Sequence, residues 1–405
     1  MHILVINSGS SSIKFSLFEA EDGVIDALYE GEVTGIGSGK AGFSFRDGEG
    51  KDLAGGASDV AAGSAVEAIG LVVEAVTGAG ADGSKLPAVD AVGYRVVHPG
   101  AKLDKHTKIT EEVLRELEEA VVFAPLHDPA VLEVMRTVMG RMPAVEHYAC
   151  FDTVFHESMG EAATVYALPL KVREGGVRRY GFHGLSCESI VRQMLDAAQR
   201  GEMRFPKRMV IAHLGSGCSV TAVVRGRSVD TTMGLTPTGG VVMGTRSGDL
   251  DPGVMLYLLR QRGATVESVE RMLNRESGMV ALSGLPNDMR TVRERAAQGD
   301  KRALLAVEVF TRSIRKAIGG FAWLMGGLDA IVFAGGIGEH DATSRVRILD
   351  GLERFGIELD DSLNGVKGDA MRRVSAAGSD VAVYVVPAEE DRMIAVHVME
   401  LIASK

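Results

Sequence analysis

The fold is decided by the stretch HILVINSGSSSIKFSLF, residues 2–18. The apolar run Ile3–Ile6 ends at Asn7, and from Ile13 apolar residues return at alternate positions. This pattern predicts two strands joined by the small polar residues 7–12. Small side chains let backbone amides approach an anion closely, so the connection can bind phosphate. An ordinary polar hairpin turn has the same composition and stays open as an alternative.

A second stretch, MVIAHLGSGCSVTAVV at residues 209–224, repeats the plan of strand, Gly/Ser turn and alternating strand. A weaker repeat relates residues 90–95 to residues 329–336. Together these repeats indicate a duplicated fold. Because 405 residues exceed what one hydrophobic core usually supports, we expect two domains.

The composition limits the class of protein. With 46% hydrophobic and 24% charged residues, the chain is typical of a soluble globular protein. Its net charge of −10 gives no general attraction to nucleic acid or to an anionic membrane, so we expect neither partner. Cys150, Cys187 and Cys218 form no CxxC pair, which favours a reducing cytoplasm over a disulfide framework or a zinc site. We also expect no signal peptide and no membrane span.

Periodicity predicts the other elements that matter for function. It indicates a helix at residues 60–76, a strand at residues 88–92 and a glycine-rich turn at residues 334–340 that can receive a nucleotide. The last strand is expected at residues 381–386. The acids in the first turn of the final helix, residues 389–391, suit the helix dipole, and a magnesium ligand is the alternative reading.

Some side chains are candidates for chemistry on local grounds. Arg95 follows a predicted strand, and Asp152 lies in an apolar surround where an ionised carboxylate needs a cation, a metal or donors. His127 precedes a helix, and the glycines beside His183 would leave its ring accessible. Arg246 lies in a long glycine-rich loop and can bind carboxylate or phosphate. Surface ion pairs, hydrogen-bonded histidines and caps are the structural alternatives.

Taken together, the motifs resemble the acetate kinase family, which belongs to the acetate and sugar kinase, heat-shock chaperone and actin superfamily. The resemblance rests on residues 7–14, 179–184, 213–215, 243–249 and 333–339. It implies an α/β fold, namely a duplicated actin-like (ribonuclease H-like) two-domain fold with an interdomain cleft. The implied N-terminal domain is 1–152 plus the returning helix 390–405, and the implied nucleotide-binding domain is 153–389. A homodimer is implied as well.

The resemblance also implies an activity and its residues. The activity is reversible, magnesium-dependent transfer of the γ-phosphoryl group of ATP to acetate by direct in-line transfer, which gives acetyl phosphate and ADP. Mg²⁺, for which Mn²⁺ can substitute, would be held by Asn7 and Glu390. Catalytic residues would be Arg95, His127, Asp152, His183 and Arg246. ATP or ADP would contact Lys14, Ala212, His213, Leu214, Gly215, Ser216, Asp288, Met289, Arg290, Gly335, Gly336, Ile337, Gly338 and Glu339.

The implied acyl pocket consists of Val97, Leu126, Phe182 and Pro237, with Arg95 on the substrate carboxylate. Because a carboxylate nucleophile is already ionised at neutral pH, the reaction needs positioning and charge neutralisation and no general base. Asp152 is therefore expected to orient Arg95 or the metal shell, not to move a proton.

The chain departs from the family pattern in several places. Ser216, His340 and Glu389 stand where asparagine is usual, and Thr238-Gly239 replaces a bulkier, acidic pair. These departures leave pyrophosphate open as an alternative donor, and propionate or another short acid remains an alternative acceptor. A chaperone or filament-type ATPase on the same fold is the alternative from another class, and the arginine pair and the apolar pocket disfavour it.

Overall fold

The computed structural model describes residues 1–9, 12–21, 23–48, 50–53, 58–78, 86–123 and 128–404. The chain forms two compact units, the first made of residues 1–154 and 389–405 and the second of residues 155–388. Among the described residues, no helix combines the length and the apolar character needed to cross a bilayer.

The first unit is built on an eight-stranded sheet in the order β5-β4-β3-β2-β1-β6-β8-β7. Its strands are β1 (His2–Ser8), β2 (Ser12–Glu21), β3 (Val24–Thr34), β4 (Ala41–Asp47), β5 (Ser58–Val60), β6 (Ala91–Val96), β7 (Thr107–Lys108) and β8 (Glu146–Phe151). The strands β1, β2 and β3 form an antiparallel meander, and β6 and β8 then extend the sheet parallel to β1.

Four helices pack with this sheet: α1 (Ala65–Thr77), α2 (Glu111–Ala120), α3 (Asp128–Arg141) and the last helix, α15 (Glu390–Ala403). The helix α2 begins where the sequence predicts, because the hydroxyl of Thr110 accepts the N–H of Val113. The helix α15 lies closely on β6. A Cβ atom at Gly93 would come within 2.8 Å of methyl groups of Ile394 and Val398. Glycine is therefore required in this strand.

The second unit has a six-stranded sheet in the order β11-β10-β9-β12-β14-β13. Its strands are β9 (Arg208–Leu214), β10 (Cys218–Val224), β11 (Arg227–Thr231), β12 (Ala330–Ala334), β13 (Arg372–Arg373) and β14 (Ala382–Val385). Its first five strands repeat the order and directions of β3-β2-β1-β6-β8, with an antiparallel β9/β10 hairpin and parallel β9/β12 and β12/β14 pairs. The predicted duplicated, actin-like fold is confirmed.

The helices of the second unit are α4 (Glu161–Thr164), α5 (Leu170–Arg173), α6 (Gly184–Gln199), α7 (Pro252–Leu259), α8 (Val266–Arg275), α9 (Gly278–Ser283), α10 (Met289–Ala297), α11 (Lys301–Leu324), α12 (Gly335–His340), α13 (Ala342–Leu349) and α14 (Asp361–Gly365). Short 3₁₀ helices lie at Val121–Phe123, Val154–Ser158 and Glu353–Phe355. A core that includes Ile190, Met209, Ile211 and Val332 packs α6 against this sheet.

Three local predictions are wrong in detail. The strand expected at residues 88–92 runs from Ala91 to Val96, so Arg95 lies within it and not beyond it. Gly93 suggests a turn in the sequence, but it serves the close approach of α15. The connection of the first hairpin is shorter than residues 7–12, since Asn7 pairs with Lys14 inside the ladder. The turn expected at residues 334–340 is largely the helix α12, which begins directly after β12.

Candidate functional site

An ion pair forms the centre of the candidate residues in the first unit. Nη2 of Arg95 donates to Oδ2 of Asp152 at 2.6 Å, and Nε lies 3.1 Å from Oδ1. Asp152 is 1% exposed and directly follows β8, the neighbour of β6. Burial by itself would lower the pKa of Arg95, but the charges of Asp152 and Glu390 raise it above its ordinary value. Arg95 is therefore the cation that the buried carboxylate requires.

The first turn of α15 adds two carboxylates to this pair. Oε2 of Glu390 lies 3.3 Å from Nη1 of Arg95, and the same nitrogen donates to Oδ1 of Asn7 at 3.2 Å. Asp391 accepts from Nδ2 of Asn7 at 3.2 Å and from the hydroxyl of Ser16 at 3.1 Å. Asp391 thus fixes the amide of Asn7 with its oxygen towards Arg95.

Asn7 and Glu390 form a donor set that fits a hard divalent cation. An amide oxygen and a carboxylate are ligands of the kind that Mg²⁺ and Mn²⁺ prefer. Both oxygens lie within 3.3 Å of one positively charged nitrogen, Nη1 of Arg95, so they face a common point. Because Nη1 of Arg95 carries positive charge, its position beside these two oxygens indicates that a cation is favoured there.

The end of the first hairpin carries Lys14, whose cross-strand partner is Asn7. Its side chain is exposed. The N–H of Gly9 donates to the carbonyl of Ser12 at 2.8 Å. Ser10 and Ser11 lie outside the described residues, so phosphate binding by this connection stays a prediction.

In the second unit the β9/β10 hairpin holds a histidine pair beside its glycine-rich turn. His213 lies in β9, and its Nδ1 is 2.8 Å from the hydroxyl of Ser186 near the start of α6. The rings of His213 and His183 stack with centroids 4.2 Å apart. The turn closes through the N–H of Gly215, which donates to the carbonyl of Gly217 at 3.0 Å. The two imidazoles therefore lie together beside the turn.

His183 precedes α6 with a left-handed backbone, at φ 58° and ψ 29°. Its Nδ1 is 3.0 Å from the hydroxyl of Ser219 in β10, and the residue is 9% exposed. The expectation of an accessible ring between flexible glycines is wrong, because the ring packs against β10 and His213. Such a backbone is uncommon for a residue with a side chain and is held by its surroundings.

Arg246 and His183 converge on Gly217. A Cβ atom at Gly217 would lie 3.3 Å from Nε2 of His183 and 3.4 Å from Nη1 of Arg246. Nη1 of Arg246 also donates to the carbonyl of Pro237 at 3.0 Å. An imidazole nitrogen and a guanidinium nitrogen therefore both approach Gly217, and both are of the kind that donates to anions.

The predicted nucleotide residues form two groups. Ser216 accepts a hydrogen bond from the amide of Asn287 at 3.2 Å, so the turn contacts the loop that leads into α10. Asp288 caps that helix through the N–H groups of Arg290 and Thr291, and a hydrogen bond from the hydroxyl of Thr291 is the main reason that the pKa of Asp288 lies below its ordinary value. Its carboxylate is thus engaged in the helix cap.

The second group lies at the start of α12. Gly335 has φ 71°, and a Cβ atom there would come within 2.8 Å of the carbonyl of Leu214 and 3.1 Å of Nε2 of His213. The helix start therefore lies against the glycine-rich turn of the β9/β10 hairpin. The carboxylate of Glu339 accepts the N–H groups of Gly335 and Ala388, so it closes this helix start in the present structure.

The predicted acyl pocket can be followed only in part. Phe182 and Pro237 are buried in the second unit, and Pro237 adjoins Arg246. Val97 is half-buried in the first unit, directly after β6. Leu126 and His127 lie outside the described residues, so their assigned roles stay predictions.

Sequence reasoning missed several residues that hold the candidate side chains. Asp391 fixes Asn7, and Ser186 and Ser219 fix His213 and His183. His106 was missed too; its Nδ1 accepts the N–H of Phe151, the residue before Asp152, at 3.0 Å. One signal in the sequence could have indicated such residues. A hydroxyl side chain inside an apolar strand, such as that of Ser219, needs a hydrogen-bond partner when it is buried.

Known proteins resemble the chain along nearly its whole length. A model of the acetokinase family matches residues 2–396. An acetate kinase of Rhodopseudomonas palustris is 40% identical over 403 residues, which cover 98% of each chain. The crystal structure of Porphyromonas gingivalis acetate kinase superimposes with a TM-score of 0.85 and 34% identity, covering 99% of both chains. A propionate kinase from Francisella tularensis has a TM-score of 0.87 and 33% identity, covering 98% of both.

Both of these solved structures are kinases of a short carboxylic acid. The family uses ATP or ADP and generally a divalent metal, and its phosphoryl acceptor is a carboxylate. Because the family model and the relatives match nearly the whole length, the chain belongs to the acetokinase family.

Proposed function

We propose that the chain transfers the γ-phosphoryl group of ATP reversibly to acetate in one in-line step. A carboxylate oxygen of acetate forms the new bond to phosphorus, while the bond from phosphorus to the bridging oxygen of ADP breaks. Both bonding electrons leave with ADP, and no proton moves because acetate is ionised at neutral pH. The protein has to align the reactants and to neutralise charge on the transferring group.

The observation that carries this proposal is the convergence of His183 and Arg246 on Gly217. In the transition state, negative charge is spread over the equatorial oxygens of the transferring phosphoryl group. Nε2 of His183 and the guanidinium of Arg246 are donors of the type that these oxygens require. Their hydrogen bonds to Ser219 and Pro237 hold them in place before the substrates bind. We assign His127 a similar donor role by its position in the family motif.

In the first unit we assign Arg95 to the substrate carboxylate, and Asn7 and Glu390 to Mg²⁺, for which Mn²⁺ can substitute. When bound, the metal neutralises charge on the phosphate oxygens. Asp152 is a positioning residue here, because its oxygens accept from Nε and Nη2 of Arg95 and so fix the plane of the guanidinium.

We assign the nucleotide to three places. Lys14 and the turn residues Ala212 to Ser216 would contact phosphates, and Asp288 to Arg290 together with Gly335 to Glu339 would hold the remainder. The support is the close approach of Gly335, at the start of α12, to the turn and the contact of Asn287 with Ser216. Val97, Leu126, Phe182 and Pro237 would surround the methyl group of acetate.

The experiment is a matrix of donors and acceptors with the purified chain, in which hydroxylamine traps acyl phosphate. We expect acetyl hydroxamate with ATP, Mg²⁺ and acetate, and no product when the metal is chelated. Product with pyrophosphate and not with ATP would overturn the donor assignment. ATP hydrolysis that does not depend on any acid would overturn the transfer reaction.

Propionate is the second candidate acceptor, because a solved propionate kinase resembles the chain as closely as the acetate kinase does. One additional methylene in an apolar pocket changes specificity only about 10-fold to 200-fold. Measuring kcat/KM for acetate, propionate and butyrate on one preparation decides between the two acids. We expect acetate to have the highest value.

We further propose that the chain forms a homodimer through the second unit. The helix α7, with the sequence PGVMLYLL, has no buried residue, and Tyr257 and Leu256 are 64% and 53% exposed. An apolar helix in contact with water indicates a covered surface. Sedimentation should give twice the chain mass, and Leu256→Glu should give the single chain mass. A wild-type chain that sediments alone would contradict the dimer.

The cytoplasm remains our proposed location. The thiols of Cys150, Cys187 and Cys218 are buried, which suits a reducing compartment.

A further inference from the structure

A cavity in the second unit lies away from all residues assigned above. It is found where β9 begins and β10 ends, and its volume is about 630 Å³, within the range of small-molecule sites. A neighbouring cavity of about 490 Å³ shares Arg204 and Tyr384 with it, so the two adjoin. The glycine-rich turn lies at the other end of β9, about 20 Å away at roughly 3.3 Å per residue.

The larger cavity alone is an open groove that is lined by four cations: Arg204, Lys207, Arg208 and Arg225. We call it the basic groove. In the described part of the chain, no ion pair involves any of these four side chains. They are all exposed. The whole chain has a net charge of −10, so this local excess of positive charge is not a consequence of composition.

The carboxylates at the basic groove do not neutralise it. Asp329 accepts the backbone N–H of Arg208 at 2.8 Å and so closes the start of the sheet. Asp380 is the other acid in the lining and is exposed. Four cations therefore face two carboxylates, and the local potential is positive.

Arg225 has an unusual backbone. Its φ is 52°, and within the described ranges the only other residue with a side chain and positive φ is His183. Arg225 and Gly226 form the two-residue turn between β10 and β11, where Asn or Gly is favoured in the first position. Such conformations cluster at sites of function. The chain therefore keeps a cation at a position where a smaller residue would fit the backbone better.

We propose that the basic groove binds a small anion with two or more phosphate groups, independently of the acetate reaction. Arginine and lysine are the side chains that bind phosphate oxygens, and several of them surround one volume here. Tyr384 and Phe205 provide an apolar wall for an organic part of the ligand. The groove is a second anion site of the chain, distinct from the nucleotide residues.

The first test measures the accessibility of Lys207 with inorganic tripolyphosphate as the probe. The intact chain is treated with an acetylating reagent in metal-free buffer, and mass spectrometry follows the modification of Lys207 and of Lys301, an exposed lysine at the start of α11. We expect tripolyphosphate to slow modification of Lys207 at least fivefold and to leave Lys301 unchanged. Equal rates at Lys207 with and without the probe would overturn the proposal.

The second test separates the basic groove from the active site. Arg225→Asn removes the cation and suits the turn, so its melting temperature should equal or exceed that of the wild type. Its affinity for tripolyphosphate should fall at least fivefold by calorimetry, whereas Arg227→Gln, a change at the next exposed arginine, should bind normally. Arg246→Ala should keep the protection of Lys207. Loss of that protection in Arg246→Ala, or normal binding by Arg225→Asn, would refute the groove.

Discussion

In both units the same pair of hydrogen bonds, made by an aspartate, joins the starts of the two central parallel strands. In the first unit the N–H of His2 donates to Asp90 at 2.7 Å, and the N–H of Asp90 donates back to the carbonyl of His2 at 2.9 Å. In the second unit Arg208 and Asp329 exchange the same two hydrogen bonds, both at 2.8 Å. The duplication therefore extends from the order of strands to single side chains at the start of the sheet.

At the opposite ends of these strands the two units differ. The first unit surrounds Arg95 with the carboxylates of Asp152 and Glu390. The second unit places the imidazoles of His183 and His213 and the guanidinium of Arg246 around a glycine-rich turn. One sheet plan thus carries a surface suited to cations in one copy and a surface suited to oxyanions in the other. The fold sets the positions, and the side chains set the chemistry.

Substituting Arg95 in the first unit or Arg246 in the second should have the largest effect on activity, and it tests the difference between the two units. We expect Arg95→Ala and Arg246→Ala each to lower kcat about a thousandfold, because each removes a cation that we assign to the reacting groups. Arg95→Ala also leaves the buried carboxylate of Asp152 without its cation, so urea unfolding should show a loss of about 3 kcal/mol. Arg246→Ala should unfold like the wild type.

The double variant Arg95→Ala/Asp152→Asn is the control for that difference. It should recover most of the lost unfolding free energy and none of the activity. Wild-type turnover by both single variants would remove the proposed roles of the two arginines.

The carboxylate that orients Asn7, the metal ligand proposed for the first unit, gives the second largest effect. Asp391→Ala removes the acceptor that orients Asn7, so the Mg²⁺ concentration for half-maximal rate should rise at least about tenfold. Asp391→Asn keeps an acceptor and should stay near the wild-type value. A metal titration at saturating ATP and acetate measures both, and an unchanged requirement in Asp391→Ala would contradict the role.

Filling the space at the turn of the second unit should have a smaller effect. In Gly217→Ala the new methyl group lies against His183 and Arg246, and we expect kcat to fall about tenfold with little change in stability. The matched control is Gly319→Ala in α11, where a Cβ atom meets nothing within 4 Å. That change should leave the rate unaltered and raise the unfolding free energy by about 0.5 kcal/mol. Full activity of Gly217→Ala would contradict anion binding at this position.

The last prediction concerns the second unit and is a pH dependence of its stability. Burial lowers the pKa of His156 to about 4, and its Nε2 donates to the carbonyl of Phe182. The unfolded chain binds a proton on this imidazole at a higher pH than the folded chain does. Stability is therefore complete above the ordinary histidine pKa of 6.5 and is lost as pH falls towards 4, by up to about 3 kcal/mol.

Urea unfolding at pH 7 and pH 4.5 measures this effect. His156→Gln keeps a donor for Phe182 and has no proton to take up, so its unfolding free energy should fall less between the two pH values. Equal losses in the variant and the wild type would assign the effect to other groups.

The elements that sequence reasoning found are those with a local signal. Alternating apolar residues and Gly/Ser turns revealed both hairpins and their duplication, and Thr110 marked the start of α2. The prediction of a turn at Gly93 was wrong. This position needs glycine because the helix α15, about three hundred residues later in the sequence, packs against it. The contact of Asp391 with Asn7 has the same character: no pattern near either residue shows that the two meet. Contacts between residues that are far apart in the sequence are set by the tertiary structure, and no local pattern predicts them.

The return of α15 to the first unit has a consequence for the order of folding during synthesis. Residues 155–388 contain everything that the second unit needs, and they leave the ribosome before Glu390 does. The first unit, although its strands are made first, cannot cover Gly93 or place Glu390 beside Arg95 until Ile394 and Val398 have emerged. The later-made half of the chain can therefore fold first, and the half to which we assign the metal becomes competent only after α15 has been made.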